Sequence, residues 1–127
     1  MATLTKHTLS RGYSGRGVSI NPTAIASSVP IHEAGAGMGN HDEVWAYASN
    51  FHTAPVDLTI IWGLSGDGAD LALAGLGNAT KTVMTLAANT RTTVINGRIL
   101  QNGLSACAFA ATTAVINIDG YVNRITA

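Results

Sequence analysis

Val56, Leu58, Ile60 and Trp62 alternate with Asp57 and Thr59, and this period of two constrains the chain more than any other feature. A strand with one face on a core needs that spacing, because successive side chains point to opposite sides. Ile61 breaks the alternation, so the second face is expected to be partly covered as well. The pattern recurs over residues 43–50, with Val44, Ala46 and Ala48 on one face and Trp45 and Tyr47 on the other. It recurs again where Ile116, Ile118, Gly120 and Val122 alternate with Asn117, Asp119, Tyr121 and Asn123. Further strands are expected at 80–86, 91–96, 104–110 and 114–125. A weaker edge strand is expected at 29–34, since Pro30 cannot donate to a ladder. Leu58, Ile60 and Trp62 are expected to pack with Ile116, Ile118 and Val122.

Between the strands stand turn residues. Asn96-Gly97 and Asn102-Gly103 supply the left-handed conformations of tight turns. Residues 63–78 hold five Gly and two Asp and read as a long loop, with 69–76 able to make one short helical turn. The fold expected is all-β: an antiparallel β-sandwich or jelly roll of about seven to eight short strands, with a small closed barrel as the alternative. The domain is assigned to residues 29–127. Residues 1–28 are assigned to an extended N-terminal arm, because Arg11-Gly12-Tyr13-Ser14-Gly15-Arg16-Gly17 has neither strand nor helical periodicity. Tyr and Arg are interface-prone, which makes Arg11, Tyr13 and Arg16 the candidate partner-binding residues.

Charge narrows the function classes. Only 11% of the 127 residues are charged, and seven basic residues balance seven acidic ones. A protein that binds nucleic acid by neutralising phosphates needs a basic excess, and none is present. A sparse, neutral surface favours self-association. No apolar run approaches the ~20 residues that cross a bilayer, so no membrane partner is expected. The first seven residues lack the apolar stretch of a signal peptide, so synthesis in a cytoplasm is expected. Cys107 is the only cysteine. It lies in an apolar run and is expected to be buried and inert.

Candidate chemistry is thin. His41 stands beside Asp42 and Glu43, with His52 in the next turn, but no close ligand spacing marks a metal site. A small hydrolase would have to be built on His41, Asp42 and His52. The carboxylate pairs Asp42/Glu43 and Asp67/Asp70 lack a specific arrangement for glycoside hydrolysis. There is no Gly-x-Ser-x-Gly elbow. The expectation is a protein that is not an enzyme and takes no cofactor or metal. Trp45, Tyr47 and Trp62 could stack on sugars in a carbohydrate-binding module, although the phase of Trp62 favours the core.

Residues 42–50, 58–63, 95–100 and 104–110, with the closing Gly120-Tyr121-Val122-Asn123-Arg124-Ile125, resemble small virion proteins of tailed bacteriophages, in particular capsid decoration (cement) proteins. The resemblance covers about residues 29–126. It implies a homo-oligomeric structural protein on the outer surface of the virion, made in the host cytoplasm. Such a protein would bind the major capsid protein lattice and stabilise the head. Some relatives serve at the neck or tail instead. No catalytic residues carry over.

Overall fold

The computed structural model describes residues 3–37, 39–65 and 79–126. Among these residues, nine strands form two antiparallel sheets: β1 (Thr3–Thr8), β2 (Val18–Ser19), β3 (Val29–Glu33), β4 (Asn40–Asn50), β5 (Val56–Ser65), β6 (Thr80–Leu86), β7 (Arg91–Gln101), β8 (Leu104–Ala110) and β9 (Ile116–Thr126). The first sheet has the order β1-β9-β4-β7, with β2 also on β9, and the second has the order β3-β8-β5-β6. Among the described residues there is no α-helix, only short 3-10 turns at Tyr13–Gly15 and Ile25–Ser27.

The pairing is nested. β1 runs along Tyr121–Thr126 and β2 along Asn117–Ile118, so the two act as one interrupted strand on the same edge of β9. Counted together, they give eight strands whose two halves fold back on each other. β1/β2 meets β9, β3 meets β8, β4 meets β7 and β5 meets β6. These pairs fall alternately in the first and second sheet, which is the wrapping of a jelly roll.

The core lies between the sheets. Leu58, Ile60 and Trp62 are buried there with Ile116, Ile118 and Val122, as the alternation requires. Alanine explains how the layers approach. Ala46 and Ala48 face inward from the first sheet, and Ala106, Ala108 and Ala110 from the second. Small side chains at these positions leave room for the Ile and Leu between them. The outer face of the second sheet has a smaller core of Ile61, Leu64 and Cys107, packed by Ile25, Ala79 and Phe109. Thr59 also lies on this face and is buried.

Gly120 sits where β9 passes closest to β4. A Cβ there would collide with the Trp45 carbonyl oxygen and come within 2.9 Å of the Ala46 Cα. Both are backbone atoms that cannot rotate away. Gly120→Ala is therefore expected to destabilise the fold by about 1–3 kcal/mol or more, read as a lower urea midpoint.

Three elements differ from the sequence reading. Asn96-Gly97 is not a turn: β7 runs through it. Gly97, at φ +72°, is the extra residue of a bulge, with Val44 opposite Arg98 and Trp45 opposite Asn96. A left-handed glycine serves a bulge as readily as a turn. Asn102-Gly103 does turn the chain, at φ +60° and +73°, between β7 and β8. Residues 63–65, expected to open the long loop, belong to β5, which continues to Ser65 past a register break at Gly63. The rest of the segment expected to be a loop, with Asp67, Asp70 and the short turn expected at 69–76, lies outside the described residues.

The third difference is the arm. Residues 3–28 do not stand apart from a domain that begins at 29. Leu9, Val18 and Ile20 are buried in the main core. The amide of Ile20 donates to the Ile116 carbonyl, and the Ala110 amide donates to the Pro22 carbonyl. Isolated apolar residues in a Gly- and Ser-rich segment show no periodicity, but each fills a place in the core. β1 is paired with β9 over its whole length, and all six of its residues are exposed.

Candidate functional site: the outward face of the first sheet

Alternation along β4 and β9 places Trp45, Tyr47 and Tyr121 on the outward face of the first sheet. Trp45 and Tyr121 are direct cross-strand neighbours. Their rings are nearly parallel, at 11°, with centroids 6.4 Å apart. The Lys6 ammonium lies 4.6 Å from the Tyr121 ring centre, and the Arg91 guanidinium 4.5 Å from that of Tyr47. Such cation–π contacts contribute roughly 0.5–1 kcal/mol at exposed sites. Arg91 also pairs with Asp119 at 2.9 Å. The Trp45 Nε1–H donates to Glu43 at 2.7 Å and the Asn123 amide donates to the same oxygen at 3.1 Å. These hydrogen bonds hold the Glu43 carboxyl below its ordinary value.

Apolar side chains extend the face. Leu4 lies opposite Ile125, and Ile99 lies opposite Glu43. Leu4 and Ile99 are exposed, and so is Phe51 just beyond β4. Phe51 lines a shallow pocket of about 210 Å³ with Ser49, Asn50, Asn89, Thr90 and Arg91. That is below the size of an ordinary small-molecule site. Asn50 serves the backbone there: its Nδ2 donates to the Leu86, Ala87 and Ala54 carbonyls.

The inward side holds a buried polar cluster that the sequence reading missed. Asp42 is fully buried. Arg124 binds it with two hydrogen bonds, Nε to Oδ1 at 2.8 Å and Nη2 to Oδ2 at 3.0 Å. His32 Nε2 lies 2.7 Å from Oδ2. Its other nitrogen, Nδ1, accepts from the Ser10 amide at 3.1 Å. An imidazole that accepts at Nδ1 carries its proton on Nε2, so neutral His32 donates to the Asp42 carboxylate. Burial pushes His32 below its ordinary 6.5, against the pull of Asp42. Burial alone would raise Asp42, but Arg124 and His32 overcome it and hold the carboxyl below 3.8. The cluster joins β3 of one sheet to β4 and β9 of the other, and it fixes Ser10. Ser10 Oγ in turn accepts from the Glu33 amide at 2.8 Å. Its signal was in the alternation, where Asp42 shares the inward phase of Val44, Ala46 and Ala48.

The sequence candidates fall apart in space. His41 and Asp42 point to opposite faces of β4, and His52 lies past the far end of that strand, roughly 30 Å along the chain. The Ala54 amide donates to His52 Nδ1. Among the described residues, no three His, Cys, Asp or Glu side chains gather as metal ligands. Arg11, Tyr13 and Arg16 lie on the loop between β1 and β2. The Arg11 amide donates to the Ile31 carbonyl at 3.4 Å, and Arg16 is exposed. The Tyr13 side chain lies outside the described residues.

No family model and no curated protein matches the sequence. Solved structures do match in shape. A chain of the T13 viral particle of infectious bursal disease virus superposes with a TM-score of 0.55 at 9% identity, covering 98% of this chain and 31% of its own. A chain of the Gx strain of that virus gives 0.54 at 9% identity, covering 98% and 32%. This chain thus spans about a third of the length of those viral chains. A chain from Bacillus endospore appendages, which form disulfide-linked pili, gives 0.47 at 13% identity, covering 98% and 86%. The jelly-roll sandwich is the fold that this chain shares with the chains of the viral particle.

Proposed function

We propose that this chain is a structural protein of a virion: a capsid decoration protein of a tailed phage. It docks on the outer surface of the major capsid protein lattice, associates with copies of itself and stabilises the head. The observation that carries the reading is the jelly roll, similar in shape to chains of a viral particle. The sparse, neutral charge supports it, as does an outward face that mixes aromatic, apolar and charged side chains in the manner of interfaces. On this reading the chain catalyses nothing and needs no cofactor. The exposed Arg16, beside the β1/β2 edge, contacts the capsid.

The outward position of Trp45, Tyr47 and Tyr121 favours a second reading, a carbohydrate-binding module. Sugar stacking needs free ring faces, however, and Lys6 and Arg91 already lie over Tyr121 and Tyr47. The virion reading is therefore preferred.

The test is to mix the purified protein with heads that lack it and to sediment them. Saturable binding at a fixed number of copies per capsomer is expected, weakened by Arg16→Ala. No co-sedimentation with heads, together with retention on a glycan surface, would contradict the proposal.

A further inference from the structure

A sheet edge invites another strand unless something blocks it, and among the described residues three of the four edges carry blocks. β3 has Pro30 and a register break at Ile31. β7 has bulges at Val94 and Gly97, with the exposed Arg91 and Arg98. β6 carries the exposed Lys81. Pro, bulges and charges are the usual protection of edges. β1 has none of them in working form. It is regular over six residues against β9, without Pro, Gly or bulge. Its one lysine, Lys6, is drawn onto the sheet face over Tyr121. All six side chains are exposed, Leu4 at 65%. A strand with no buried side chain gains little in the isolated molecule against the entropy of ordering it.

We infer that the free edge of β1 pairs with β1 of a second copy of this chain, antiparallel across a two-fold axis at Thr5, joining the first sheets of two molecules. The occupant follows from the chemistry of the edge. Capture of a foreign strand takes its specificity from side-chain pockets, and the pocket at Phe51 is lined by no residue of β1. Thr3-Leu4-Thr5-Lys6-His7-Thr8 is compatible with itself. The two-fold sets Thr3 against His7, Leu4 against Lys6 and Thr5 against Thr5, so no like charges meet. The same contact covers part of Leu4 and satisfies the outward backbone groups of β1. This inference rests on the self-association proposed above, and not on the capsid.

The experiment measures the mass of the purified full chain by light scattering over a concentration series. Wild type is expected to dimerise. Thr5→Lys and Thr5→Glu should each weaken the dimer about tenfold or more, because each places like charges on the axis. An equal mixture of the two variants should recover dimer. Thr5 is exposed, so both variants should melt as wild type does, which separates lost pairing from lost folding. A wild type that stays monomeric at the highest soluble concentration would overturn the inference. So would a dimer indifferent to both variants, or a mixture that fails to recover. A dimer that responds as expected but ignores phage heads would count against the virion reading and leave the β1 contact standing.

Discussion

Asp42→Ala is expected to cost about 3–5 kcal/mol, the range for removing one partner of a buried ion pair. The loss exceeds that of an exposed pair such as Arg91–Asp119, which contributes about 0.2–1 kcal/mol. Asp42 accepts two bonds from Arg124 and one from His32, and truncation leaves both donors facing an empty site. Arg124 is partly exposed and can turn towards water, which sets the cost near the lower end. Urea unfolding at neutral pH measures it. The same cluster makes stability fall with acid in two windows. His32 binds its proton more weakly in the folded state, so below 6.5 the unfolded chain takes up the extra proton and stability declines until folded His32 itself protonates. The slope approaches about 1.4 kcal/mol per pH unit for one proton. Asp42 has a folded pKa below 3.8, so its contribution is present above that value and is lost as pH falls through the folded one. His32→Asn should flatten the upper window and leave the lower one in place.

Deleting residues 1–25 should abolish cooperative unfolding. The deletion takes out Leu9, Val18 and Ile20, all buried. Each such loss costs about 2–5 kcal/mol, and three together rival the roughly 5–15 kcal/mol that holds a domain. It also strips β9 of both neighbours on that edge. Deleting residues 1–8 removes only β1, which buries nothing, and should leave a folded protein with a small drop in melting temperature. Circular dichroism melts of the two truncations separate a frayed end from a built-in part of the fold.

Strand positions were legible because period-two alternation survives in any half-buried sheet. The phases of Val44, Leu58, Ile60 and Ile118 were read from it directly, and the structure keeps them. Pro30 marked an edge strand, and β3 lies at an edge. Other features had no local signature. The left-handed glycine of Asn96-Gly97 fits a turn and a bulge equally well, and only the β4 register distinguishes them. Leu9, Val18 and Ile20 are too widely spaced to show a period, so their burial depends on where β9 lies. The Asp42–His32–Arg124 cluster spans 92 residues of sequence. Its phase on β4 could have flagged Asp42 as an inward carboxylate in need of partners, but the identity of those partners is a property of the jelly-roll pairing.

The jelly roll is proposed above to decorate the outer surface of a phage head. Electron cryomicroscopy of particles assembled with and without the chain tests this most directly. Difference density is expected outside the head shell, at fixed positions on the capsid lattice, that accepts the two-sheet sandwich with β1 edges of neighbouring copies abutting. Particles whose heads are identical in both cases, with the chain absent or confined to the interior, would contradict it.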